Sequence, residues 1–131
     1  MHRAIAALAL GLMALSVADY LMTVSGFGPY MALFTFEQVA YFSDLPFWIA
    51  ASWAISAWFG LGGAVTLMSG HAICPWFWAI SLLATVIYSG WLSGPGEMDA
   101  VTGPMGNWIM LAVVMVHLGF FLYARLGRPS A

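Results

Sequence analysis

Apolar residues in this chain gather into four long runs, unlike the short alternations of strands or the one-sided stripes of water-exposed helices. The runs cover about residues 3–23, 47–68, 73–92 and 107–126. Each is close to the roughly 20 residues that a helix needs to cross hydrocarbon. Between them stand Gly26-Phe27-Gly28-Pro29, Ser69-Gly70, Gly94-Pro95-Gly96 and Gly103-Pro104, residues that stop helices where the backbone can again meet water or headgroups. The pattern predicts an all-α polytopic membrane protein, a single transmembrane domain of four helices over 1–131.

A shorter element is expected in the first connection. Thr35-Phe36-Glu37-Gln38 fits a capping box, with Thr35 as N-cap and Gln38 three residues on. It opens a helix over about 36–44, closed by Pro46. Phe34, Phe36, Val39, Tyr41 and Phe42 make the stretch aromatic, as in a helix lying at the outer membrane surface. A loop folded back over the bundle fits the same residues. The first apolar run has a second reading as well. His2-Arg3, the run itself and Ser16-Val17-Ala18 have the layout of a secretory signal with its cleavage site. Because the run continues past Asp19 through Tyr20-Leu21-Met22, a retained helix is the expectation.

Composition sharpens the membrane assignment. Of the 131 residues, 63% are hydrophobic and 6% charged, against about a quarter charged in a water-soluble domain. Too few polar side chains exist to cover a globule in water. The net charge of −2, with no basic run, excludes a phosphate-tracking surface and hence nucleic acid. Cys74 stands alone, so neither an internal disulfide nor a thiolate-rich metal site is available.

The few cations suggest an orientation. Arg3 precedes the first helix and Arg125 and Arg128 close the last, while Glu37, Asp44, Glu97 and Asp99 occupy the first and third connections. The excess of basic residues on the cytoplasmic side then puts both termini in the cytoplasm, which requires an even number of spans. Trp48, Trp91 and Trp108 fall near predicted outer ends and Trp76 and Trp78 near an inner end, as in an aromatic belt. Trp53 and Trp58 sit deeper.

Candidate chemistry is sparse. Ser52, Ser56, Gly60 and Ala64 recur at intervals of four on the second helix, a face that lets another helix approach closely. Ser81, Thr85 and Ser89 repeat that spacing on the third. Helix packing accounts for both stripes. A polar path formed by Asp19, Ser81, Thr85, Ser89 and Trp58 is the alternative. His117, near the middle of the fourth helix, is an ionisable group at a costly depth. It could ligate a haem or chlorophyll-type pigment through a neutral ring nitrogen, or bond to a hydroxyl on a neighbouring helix. No second histidine lies at matching depth, and no cofactor or metal is expected. Asp19, one turn inside the outer end of the first helix, is expected to cap it or to bond a nearby Trp or Tyr. No nucleophile–base pair or glycine-rich phosphate loop is present, so catalysis is not expected.

Asp19-Tyr20 with Thr23, Tyr30-Met31, Phe34-Thr35-Phe36-Glu37-Gln38-Val39-Ala40-Tyr41-Phe42, Pro46-x-Trp48 and Trp58-x-Gly60 together resemble a family of small four-helix bacterial inner-membrane proteins, loosely labelled as sugar transporters. The resemblance covers the first half of the chain by motif and the second half by hydrophobic layout. It implies a bacterial inner-membrane location and the four-helix arrangement, and it carries over no catalytic residue. Family members usually have basic residues between the second and third helices. Ser69-Gly70-His71-Ala72-Ile73-Cys74-Pro75 has none, which implies an inner loop covered by another protein.

These readings converge on a non-catalytic accessory or structural subunit. Its expected partners are the lipid bilayer and other membrane subunits of a larger, energy-transducing complex. A small solute transporter acting as a homo-oligomer is the alternative.

Overall fold

The computed structural model describes residues 1–127. Arg128, one of the cations used for orientation, lies outside them. The elements are α1 (His2–Val24), α2 (Gly28–Met31), α3 (Phe36–Ser43), α4 (Phe47–Met68), α5 (Cys74–Ser93), α6 (Asp99–Thr102) and α7 (Pro104–Leu122), with a π-helical turn over Tyr123–Gly127. Four of these are long and apolar enough to span a membrane: His2–Val24, Phe47–Met68, Cys74–Ser93 and Pro104–Gly127. The all-α architecture is thus the one the apolar runs predict, and a helix satisfies its own backbone in lipid.

Local chemistry sets the boundaries. Gly26 (φ 65°) and Gly70 (φ 70°) adopt the left-handed conformation just past α1 and α4. The following amides bond back five residues, Phe27 N–H to the Met22 carbonyl at 3.0 Å and His71 N–H to that of Thr66 at 2.9 Å, closing two Schellman motifs. The last spanning helix starts at Pro104, three residues before the expected 107, because Gly103 at φ 71° turns the chain and proline suits the first helical position. The expected capping box is complete. Gln38 N–H donates to Thr35 Oγ1 at 3.2 Å and Thr35 N–H to Gln38 Oε1 at 3.1 Å, opening α3.

The spanning helices pack as a row, α1 on α4, α4 on α5 and α5 on α7. At the end that carries His2 and Tyr123 the row curls shut. There Ala6, Ala9, Met13, Ala64, Leu67, Cys74, Trp78, Phe120 and Ala124 share one buried cluster, and His2 Nδ1 meets the Tyr123 hydroxyl at 2.9 Å. Trp78 is fully buried here, which removes it from the aromatic belt, whereas Trp48, Trp76 and Trp108 are more than half exposed. Its indole has a place in the core because α4 offers it a glycine, Gly63, rather than a side chain.

At the opposite end the row stays open, with no extended contact between α1 and α7. A second cluster of Ile49, Tyr88, Leu92 and Met98 fills the α4–α5 side. Over it lies α3, anchored to the α5–α7 connection by Gln38 Nε2 donating to the Val101 carbonyl at 3.4 Å and by the Tyr41 hydroxyl donating to that of Gly96 at 2.9 Å. The segment therefore combines both expected forms: it is a helix, and it folds back over the bundle. Glu37, Asp44, Glu97 and Asp99 are exposed around it.

Candidate functional site

A cleft of about 880 Å³ occupies the open half of the row. One wall is the second half of α1, from Leu12 to Thr23, and the other is α7 from Met105 to His117. Ile49 and Trp53 of α4 with Tyr88 and Leu92 of α5 form the back. Tyr30, Phe34, Gln38, Phe42 and Thr102 reach it from the connections. Its rim is apolar and exposed, Leu12 and Leu15 on one side and Ile109 and Val116 on the other, so the mouth faces the surroundings of the spanning helices.

Two polar features stand in this apolar space. Near the connection end, the Tyr30 hydroxyl donates to Asp19. The turn at Gly26 folds α2 back beside the last turns of α1, which is how residues 11 apart meet. Burial, then the hydrogen bond to Asp19 and the charge of its carboxylate, push the Tyr30 hydroxyl up to about 12. Asp19 thus takes the tyrosine-bonded role expected for it, with Tyr30 as its partner.

The second feature is His117, only 2% exposed, on the lining where the cleft meets the closed core. Its Nδ1 is 2.8 Å from the Val113 carbonyl one turn earlier in α7. Its ring sits edge-on to Trp78, with centroids 6.1 Å apart. The hydrogen bond is therefore made within its own helix rather than to a hydroxyl across an interface. A carbonyl oxygen can only accept, so the proton of the neutral ring is on Nδ1 and Nε2 presents a lone pair. That buried Nε2 has no hydrogen-bond partner among the described residues.

The other residues singled out in the sequence serve elsewhere. Ser81 Oγ donates to the Ser56 carbonyl at 2.7 Å, the Ser56 and Thr85 hydroxyls are 2.5 Å apart, and Thr85 Oγ1 donates to the Ser81 carbonyl at 2.7 Å. These three residues join α4 to α5 inside the bundle. Ser89 is buried on the same face of α5. Gly60 lies between α1 and α5, since a β-carbon there would come within 2.6 Å of Met13 Sδ and 3.1 Å of Ser81 Oγ. Ser56, Gly60 and Ala64 are buried as a packing face, while Ser52 bonds the Trp48 carbonyl of its own helix at 2.8 Å. Trp58 is 48% exposed. Of the five residues of the alternative polar path, the cleft takes in Asp19 and leaves Ser81, Thr85, Ser89 and Trp58 outside its lining.

Tyr30 was not singled out as a site residue by sequence reasoning. The signal for it was the glycine-rich reversal at Gly26 to Pro29, which directs whatever follows back along α1. No metal-binding group of three or more His, Cys, Asp or Glu exists among the described residues. No family model, curated protein or solved structure matches this chain.

Proposed function

We propose that this protein is a non-catalytic accessory subunit of a larger complex in a bacterial inner membrane, with both termini in the cytoplasm, and that it holds an apolar molecule of the bilayer in the cleft between α1 and α7. The observation that carries the reading is the shape of the row: closed at one end and open at the other, with an exposed apolar rim. The volume falls within the roughly 300–1,000 Å³ of ordinary ligand sites. Both polar features suit binding better than turnover. Asp19 is held by Tyr30, and His117 is fixed by its own helix. Assembly with other subunits is supported by how little free chain remains outside the spans, because α2, α3 and α6 occupy the first and third connections.

The test is gentle extraction from native membranes, native separation, and mass spectrometry of both proteins and small molecules that travel with the chain. Co-migration with other membrane proteins at fixed stoichiometry, together with a retained apolar molecule, is the expected result. A lone homo-oligomer would favour the transporter alternative, for which Asp19 in the cleft is the supporting observation. A bare monomer with neither partner nor ligand would remove the proposal.

A further inference from the structure

The cleft also carries information about what it accepts. An apolar body fits almost any part of its lining, so selectivity comes from polar groups, above all from any that is buried without a partner. The Tyr30 hydroxyl takes up one oxygen of Asp19, and that carboxylate, like the lining hydroxyls of Ser16 and Thr23, is only part-buried. Gln38 is committed to the N-cap of α3 and to Val101. The Thr102 hydroxyl bonds the Met98 carbonyl at 2.9 Å. His117 is different: it is 98% buried, its Nδ1 proton is engaged by Val113, and its Nε2 has no partner. A buried acceptor without a donor is uncommon in a folded protein, and each instance asks for an explanation. The indole N–H of Trp78, whose ring lies edge-on to His117, makes no hydrogen bond to it and lies outside the cleft lining, so in this position a donor brought by a ligand supplies the explanation.

We infer that the cleft selects apolar molecules bearing a hydroxyl group, whose O–H donates to His117 Nε2 while the apolar body lies between α1 and α7. The inference rests on the ligand-holding part of the proposed function and names the ligand's chemistry. A ligand whose polar end only accepts hydrogen bonds, such as an ether or a quinone carbonyl, gains nothing from Nε2 in this tautomer. The exposed rim at Leu12, Leu15, Ile109 and Val116 gives such a molecule access from hydrocarbon, without passage through water. Two sources in a membrane have this chemistry, a quinol and a glyceride with a free hydroxyl. Trp53, which lines the cleft, provides a spectroscopic reporter.

The test uses the full-length protein in lipid nanodiscs. Tryptophan fluorescence and native mass spectrometry would report binding of decylubiquinol, dioctanoylglycerol, the O-methyl ethers of each, and decylubiquinone. The expected result is that at least one hydroxyl-bearing probe binds tenfold or more tightly than its own O-methylated form, and that the difference vanishes in His117→Leu. Tighter quinol binding identifies one source and tighter glyceride binding the other. His117→Gln, which keeps an acceptor at the end of the side chain, is expected to restore part of the preference. Equal binding of hydroxyl and ether forms to the unaltered protein overturns the inference even if His117→Leu does not fold, and it leaves the ligand-holding function standing. A preference that survives intact in His117→Leu also overturns it. Binding of none of the probes, with no small molecule retained on extraction, overturns the ligand-holding function itself.

Discussion

The indole of Trp78 occupies the space that a side chain at Gly63 would need. A β-carbon built on Gly63 would lie 2.8 Å from Cε2 and 2.9 Å from Nε1 of that ring. The contact lies within the buried cluster at the closed end of the row. Because the ring is rigid and walled in by Phe120 at a centroid distance of 4.9 Å, it cannot swing aside as a flexible chain would.

Gly63→Ala is therefore expected to destabilise the bundle by about 1–3 kcal/mol, the usual cost of overpacking a filled core. Gly11→Ala is the control, since a β-carbon at Gly11 meets nothing within 4 Å. Reversible unfolding in mixed micelles measures both, and equal stability of the two variants would contradict the packing described.

The hydroxyl chain between α4 and α5 makes a smaller contribution. Thr85→Val keeps the shape and removes the donor to the Ser81 carbonyl and the contact with Ser56. Interhelical hydrogen bonds in membranes average about 0.6 kcal/mol and reach roughly 1.7. A loss within that span is expected from the same unfolding measurement, with the bundle still formed.

Loss of the Thr35 side chain acts locally. Thr35→Ala removes the acceptor for Gln38 N–H and with it half of the capping box. A cost of about 1 kcal/mol is typical of a lost N-cap. Hydrogen exchange at the first amides of α3 is expected to quicken roughly fivefold, by the usual conversion of that energy into a population ratio. Exchange within α4 and α5 should not change.

Tyr30 offers a pH readout. Its hydroxyl is raised from 10.0 to about 12, chiefly by burial and then by Asp19. The neutral phenol is thus favoured in the folded state. The stability that it contributes is complete below pH 10 and is lost as pH rises through about 12. The tyrosinate absorbance difference between the unaltered protein and Tyr30→Phe is expected to titrate near 12. Asp19→Asn should lower that midpoint while leaving it above 10, since burial is the first cause and remains. A Tyr30 midpoint at 10 in the unaltered protein would show that the hydroxyl does not rest on Asp19.

The four spans were legible in the sequence because length and apolarity alone define them, and α3 because its capping box is spelled out in Thr35 and Gln38. The cleft was not legible. In water a polar face marks the outside of a helix, but in hydrocarbon both sides are apolar. On α1 the buried Ala9 and Met13 and the exposed Leu8 and Leu15 have the same character, so the face that packs and the face that lines an opening cannot be told apart. Trp78 misled for a related reason. A tryptophan near a helix end suits the interface by default, and only the position of Gly63 on the neighbouring helix reveals a core site for it. The small-residue stripe of α4 was readable where the partner approaches closely, at Ser56, Gly60 and Ala64, and not at Ser52.

The two hydrogen bonds that hold α3 reach 63 and 55 residues along the chain, to Val101 and Gly96. During synthesis, α3 emerges well before either acceptor exists. Its capping box lets it form early, but the contacts that anchor it arrive only once α5 has been inserted and the chain has turned toward α7. The wall at Ile109 to His117 comes later still. A chain interrupted after α5 would hold three spanning helices with neither anchored roof nor second wall. The cleft thus gains its second wall only with the last spanning helix, and its occupancy would mark chains in which that helix is in place.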